Sequence, residues 1–157
     1  MLPPYTTRLA TPGDAPAIAE MRRQMFLDMG KPDDERMQKL VATFVPWVAK
    51  RIVNGTYMGW IVEGSDGAIV GGAGLLLVDW PPHFRDPNTT RGYILNVWTH
   101  PDHRRKGIAH DLMQVIMAEA CQRGIRVLTL HASDEGKAVY EKLGFRQSRE
   151  MMFVQPE

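Results

Sequence analysis

Ile18, Met21, Met25 and Met29 recur at the spacing of one helix face, and just ahead of them Thr11-Pro12-Gly13-Asp14 has the composition of a helix start. Thr11 serves as N-cap, Pro12 takes the first helical position, and Asp14 closes an approximate capping box. The pattern predicts an amphipathic helix over about residues 12–29, preceded by a short strand around Thr7–Ala10. The methionine stripe reads as core packing, although flexible thioethers also suit a pliable binding surface. Pro32 and Asp33-Asp34-Glu35 open a second helical pattern with Met37, Val41, Phe44 and Val48 on one face. Pro46 predicts a kink or interruption, because it lacks the N–H and clashes with the preceding turn. Asn54-Gly55 ends the pattern.

The period then shortens. Tyr57 to Glu63, the turn residues Gly64-Ser65-Asp66-Gly67, and Ala68 to Val78 predict an antiparallel hairpin. Gly71-Gly72-Ala73-Gly74 inside its second arm would weaken a strand unless something packs closely there or the strand bulges. Trp80 to Arg91 is a proline-containing polar loop, suited to a lip over a site or to a plain connection. Next come a strand at Tyr93–Thr99, a helical run from Leu112 to Cys121 expected to end at Gly124, a strand at Arg126–His131, a short helix from Gly136 to Leu143 closed by Gly144, and a final strand at Glu150–Val154. Strand, helix, strand in that order implies a right-handed parallel crossover.

Composition narrows the class. At 157 residues, 44% apolar and 24% charged, the chain is expected to be one domain over 1–157 with a core that needs no disulfides or metals. A formal net charge of +1 argues against a general nucleic-acid or acidic-membrane binder. The single cysteine, Cys121, excludes an internal disulfide, and its neighbours Ile116, Met117, Ala118 and Ala120 suggest a buried structural thiol. No leader-like start and no apolar run of membrane-spanning length is found, so the expectation is a cytoplasmic protein. His100 and His103 flank Pro101-Asp102 but lack a third ligand at useful spacing, so no metal is expected.

The chemistry concentrates in Arg104-Arg105-Lys106-Gly107-Ile108-Ala109, a basic, glycine-containing loop between the strand and the helix. Backbone N–H groups and the positive end of the helix dipole converge in such a loop, which can hold a phosphate or pyrophosphate; an ordinary basic turn is the alternative. With Arg104, Gly107 and Ala109 at these spacings, Asn96-Val97-Trp98-Thr99-His100-Pro101-Asp102 before them, and Tyr140-Glu141-Lys142-Leu143-Gly144-Phe145 near the C-terminus, the chain resembles the GNAT superfamily of N-acetyltransferases. The resemblance spans nearly the whole chain. It implies an α/β (α+β) fold: a mixed central sheet with antiparallel N-terminal strands and a splayed parallel pair, helices on both faces.

The resemblance also implies acetyl-CoA as co-substrate. Its pyrophosphate would lie on the backbone of Arg104, Arg105, Lys106, Gly107, Ile108 and Ala109, and its pantetheine arm along Val97, Trp98 and Thr99. Tyr140 would be the general acid, and Ser133 stands where many members have an asparagine that contacts the arm. Many members also carry a glutamate base on the central strand, whereas Gly92 to Thr99 holds no carboxylate. Asn96 could position a water or polarise the amide but is no efficient base. His131, Asp79 and His83 are the other candidates. Met25, Trp80 and His83 suggest a partly apolar acceptor entrance. The expected activity is direct acetyl transfer to a primary amine of a small molecule, with a homodimer as the family's common assembly. A protein or peptide acceptor, and a non-catalytic acetyl-CoA sensor, remain as alternatives.

Overall fold

The computed structural model describes residues 4–157. Five strands form one sheet in sequence order: β1 (Thr6–Leu9), β2 (Tyr57–Glu63), β3 (Ile69–Asp79), β4 (Thr90–Thr99) and β5 (Leu128–Leu130). The first four pair antiparallel and β5 runs parallel to β4. Helices α1 (Ala15–Asp28) and α2 (Glu35–Asn54) cover one face. Helix α3 (Ile108–Gln122) covers the other, with the short α4 (Lys137–Lys142) beside it. No described helix is long and apolar enough to cross a membrane.

Side-chain alternation builds the two cores. Tyr57 and Ile61 pack with Ile18, Met21, Phe44, Val48 and Trp98 on the α1–α2 face. Trp60, Val62, Leu75 and Ile94 pack with Ile108, Leu112, Met113 and Ile116 on the α3 face. Strands buried on both sides in this way carry the near-continuous apolar runs seen in the sequence.

Local chemistry explains most of the boundaries. The Thr11 N–H donates to Asp14 Oδ2 at 2.7 Å, and the chain enters α1 through a 3-10 turn at Pro12–Asp14. Asp34 caps α2 by accepting from the N–H groups of Arg36 and Met37, and Gly55 closes it at φ 77. Gly124 at φ 70 and Gly144 at φ 95 end α3 and α4 as left-handed caps.

Three expectations are corrected. Pro46 lies inside an unbroken α2. It sits on the solvent side with Ala42, so water can take the Ala42 carbonyl that lost its N–H partner. Cys121 is exposed. The inward face of α3 runs through Leu112, Met113, Ile116 and Ala120, and the next residue is turned about 100° away. Glu150–Val154 forms no strand. Its apolar residues have no alternating face to bury, the neighbouring β5 offers only 3 residues of ladder, and Met151, Phe153 and Val154 are 97%, 80% and 73% exposed.

Candidate functional site

The site begins where β4 loses its partner. Its parallel pairing with β5 covers Gly92↔Leu128, Tyr93↔Thr129 and Ile94↔Leu130 and then stops, while β4 continues to Thr99. On that side, Leu95 to Thr99 presents a backbone edge with no strand beside it among the described residues. On the other side, β3 pairs Gly74 with Leu95 and Gly72 with Trp98, so Asn96 and Val97 both stand opposite Ala73. This is a β-bulge on β4, and Asn96 is left-handed at φ 57. Asparagine tolerates that conformation better than most residues.

The bulge turns the buried Asn96 side chain toward the α1–α2 face. Its Nδ2 donates to the Tyr57 hydroxyl at 3.0 Å, and its Oδ1 accepts from Arg22 at 2.7 Å. Both ends of the amide are thereby engaged. Burial pushes the Tyr57 hydroxyl up to about 12, so it remains a neutral anchor. Tyr57 in turn explains Gly74, where a Cβ would lie 2.1 Å from its hydroxyl, while one on Gly72 would meet Met21 and the Trp60 carbonyl oxygen. At Gly71 the neighbour is backbone, the Trp98 carbonyl oxygen 3.0 Å from where a Cβ would lie.

Beyond β4, a 3-10 turn at Pro101–His103 leads into the basic loop. Arg105 is left-handed at φ 60, and Gly107 at φ 84 precedes α3. The first helical bond runs from the Asp111 N–H to the Gly107 carbonyl. The N–H groups of residues 105–110 find no acceptor among the described residues, and a Cβ on Gly107 would meet nothing within 4 Å. An open cradle of backbone donors at a helix N-terminus has the chemistry for a pyrophosphate. Arg104 differs from the rest of the loop. Its guanidinium donates to the Thr99 carbonyl at 3.0 Å and to Asp28 at 2.5 Å, and Asp28 also accepts from the Trp98 indole at 3.0 Å. Its side chain ties the loop to the ends of β4 and α1.

On the α1–α2 face of the splay, the Tyr93 hydroxyl is hydrogen-bonded to His131 Nδ1. His131 follows Leu130 directly, so it stands where β5 parts from β4. Burial pushes the Tyr93 hydroxyl up, and Arg22 pulls it down. A cavity of about 190 Å³ continues along this face, lined by Val78, Trp80, Arg91, Gly92, Tyr93, Thr129 and Glu150. The Arg91 guanidinium lies 4.7 Å from the Trp80 ring centroid and fixes that wall.

Tyr140 packs from α4 with the α3-face cluster that includes Val97 and Leu130. Its ring meets Phe145 edge-on at 6.1 Å, burial pushes its hydroxyl up, and that hydroxyl has no hydrogen-bond partner among the described residues. Ser133 Oγ accepts from the Gly136 N–H at 3.1 Å, in the turn that leads into α4. Of the acceptor-side candidates, Trp80 lines the cavity and Met25 is half-buried against the α1–α2 core. His83 lies in a turn paired with Asp86, where its Nδ1 accepts from the Arg85 N–H. Asp79 is exposed at the end of β3. His100 Nδ1 accepts from the Asp102 N–H, and His103 Nδ1 pairs with the Tyr5 hydroxyl.

Arg22, Tyr57 and Tyr93 are part of this arrangement and were not singled out from the sequence. Arg22 did leave a signal. It stands four residues after Ile18, where the apolar stripe of α1 would continue, and a cation there breaks the pattern.

Residues 17–145 match the model of the Acetyltransferase (GNAT) family. Among solved structures, a GCN5-related N-acetyltransferase from Ralstonia eutropha JMP134 is 34% identical and superposes with a TM-score of 0.90 over 96% of this chain and 98% of that one. A predicted acetyltransferase from Clostridium acetobutylicum, solved with acetyl-CoA, is 27% identical, with a TM-score of 0.86 over 96% of each chain. An acetyltransferase from Trypanosoma brucei, 21% identical with a TM-score of 0.70 over 97% of this chain and 99% of that one, shows the fold alone. No curated protein matches the sequence.

Proposed function

The chain belongs to the GNAT family of acetyltransferases, and from that membership we propose that residues 1–157 form one domain that transfers an acetyl group from acetyl-CoA directly to a primary amine of a small molecule. The family uses acetyl-CoA, which supplies the activated thioester. The observation that carries the reading is the bulged, splayed β4 placed immediately before a loop of open backbone donors.

In this reading the N–H groups of residues 105–110 hold the pyrophosphate, with Arg105 and Lys106 adding charge. Arg104 acts indirectly, by fixing where the loop starts. The free edge of β4 at Val97, Trp98 and Thr99 pairs with the amides of the pantetheine arm as an added strand would. The Val97 N–H donates to the carbonyl oxygen as negative charge develops on it. Asn96 serves by holding Tyr57 and Arg22.

Proton transfer divides between the two faces of the splay. Tyr140 on the α3 side stays protonated at neutral pH and donates to the departing sulfur. Burial raises the phenol above its ordinary value, so the proton moves uphill to the thiolate and passes as the carbon–sulfur bond breaks rather than before it. His131 accepts the amine proton, directly or through water, with the Tyr93 hydroxyl orienting its ring. Its exposure lets the proton leave to solvent. The cavity beside Tyr93 has room for the amine-bearing end of an acceptor.

The test is release of CoA thiol from acetyl-CoA with a panel of small amines, amino acids and N-terminal peptides, with Tyr140→Phe in parallel. We expect acceptor-dependent release that falls about 100-fold or more in kcat in the variant while acetyl-CoA affinity is kept. Binding of acetyl-CoA without release from any acceptor would instead support a sensor.

A further inference from the structure

Arg22 is a cation without a counter-ion. Its guanidinium lies over the rings of Phe26 at 5.0 Å and Phe44 at 5.1 Å, and makes one hydrogen bond, to Asn96 Oδ1. No carboxylate approaches it among the described residues, because the nearby acids are committed elsewhere. Glu20 accepts from Arg23 and Gln24, and Asp28 accepts from Arg104 and Trp98. Arg8, Arg23, Arg104 and Arg123 each pair with a carboxylate at the surface. Burial pushes the Arg22 guanidinium down, whereas in Arg8 and Arg23 the paired carboxylates outweigh burial.

Holding a desolvated charge unpaired is costly. A guanidinium presents a planar fork of donors, and only one is satisfied here. The two rings fix the plane and Asn96 fixes one corner, so the remaining donors are already oriented for a planar bidentate anion. Its position gives this meaning. Asn96 is the bulge residue next to Val97, and Arg22 is close enough to Tyr57 and Tyr93 to bias both hydroxyls. An anion received by Arg22 would lie on the α1–α2 face of the splay, beside the reacting amine.

We propose that Arg22 is a specificity-determining residue that binds the carboxylate of the acceptor, so that the substrates are amines carrying a carboxylate a few bonds from the nitrogen, as in amino acids. The proposal rests on the acetyl-transfer reading above and narrows its acceptor.

The test compares each standard α-amino acid with its primary carboxamide, which keeps the amine and removes the negative charge. Acetyl transfer by the wild-type protein should show kcat/KM at least about 10-fold higher for the acids, as loss of a charge-assisted pair implies. In Arg22→Gln the preference should collapse, through KM more than kcat. Calorimetric titration of the same acids and amides into the protein saturated with CoA, which has no acetyl group to transfer, should show the same preference without turnover. Equal handling of acids and amides by the wild type in both measurements would overturn the proposal, as would a preference that survives in Arg22→Gln. A loss in Arg22→Gln that is equal for both series would make Arg22 a support for the bulge and also overturn it. Acid-selective binding to the CoA complex without any acetylation would leave the anion site standing and remove the transfer reading.

Discussion

Gly74 shows how a single missing atom sets the geometry of the site. The Tyr57 hydroxyl occupies the space that a Cβ at Gly74 would need, and from there it meets Asn96, which in turn holds Arg22. Gly74→Ala should therefore cost about 2–3 kcal/mol through overpacking and the displaced hydrogen bond, lowering Tm by roughly 5–10 °C. An unchanged thermal transition would mean that Tyr57 does not approach Gly74 this closely. The need for close packing or a bulge at the glycine run was visible from the sequence, since glycines weaken a strand that has no use for them. Which side chain fills the space was not, because Tyr57 and Gly74 meet only through the hairpin register.

At the scale of elements, the join between β4 and α3 was the most legible part of the chain. A strand, a basic loop with glycine at its end, and an amphipathic helix are local patterns, and each formed near its expected place. Gly107 contributes its left-handed backbone rather than room for a neighbour, because no neighbour is there. Gly107→Ala should strain the loop by about 1 kcal/mol, set a methyl group at the mouth of the donor cradle, and raise KM for acetyl-CoA about 10-fold, with a smaller effect on kcat at saturation. An unchanged KM would show that the coenzyme does not use this loop. Elements whose outcome depended on partners were less legible. Pro46 broke no helix because its exposed side let solvent replace the lost bond, and Glu150–Val154 formed no strand because β5 was too short to template one.

Across the whole molecule, Arg8 on β1 clamps the N-terminal segment to the rest. It donates to Glu63 on β2 at 2.8 Å and bidentately to Asp14 at 2.9 Å. The Arg8 guanidinium, with help from Thr11, holds the Asp14 carboxyl at about 2, below its ordinary 3.8. A carboxylate depressed on folding stabilises the protein above its unfolded value, and that contribution disappears as pH falls through its folded value. Because the Arg8 side chain is 40% exposed, screening holds the gain to about 1 kcal/mol. The stability difference between wild type and Asp14→Asn, measured by urea unfolding, should be constant from pH 7 to about 5 and shrink between about pH 4 and 2. A difference unchanged over that range would mean the clamp is not electrostatic. Periodicity and caps made all the elements up to the last helix and the donor loop readable from the sequence alone, because each is encoded by residues close together in the chain, and the two separated motifs made the family and its mixed sheet readable through the resemblance. The pairing of Tyr93 with His131, the engagement of Asn96 from both ends and the unpartnered charge of Arg22 join residues 38, 39 and 74 positions apart. No local pattern specifies such contacts. They exist because the sheet register and the packing of α1 bring those side chains to one face of the splay.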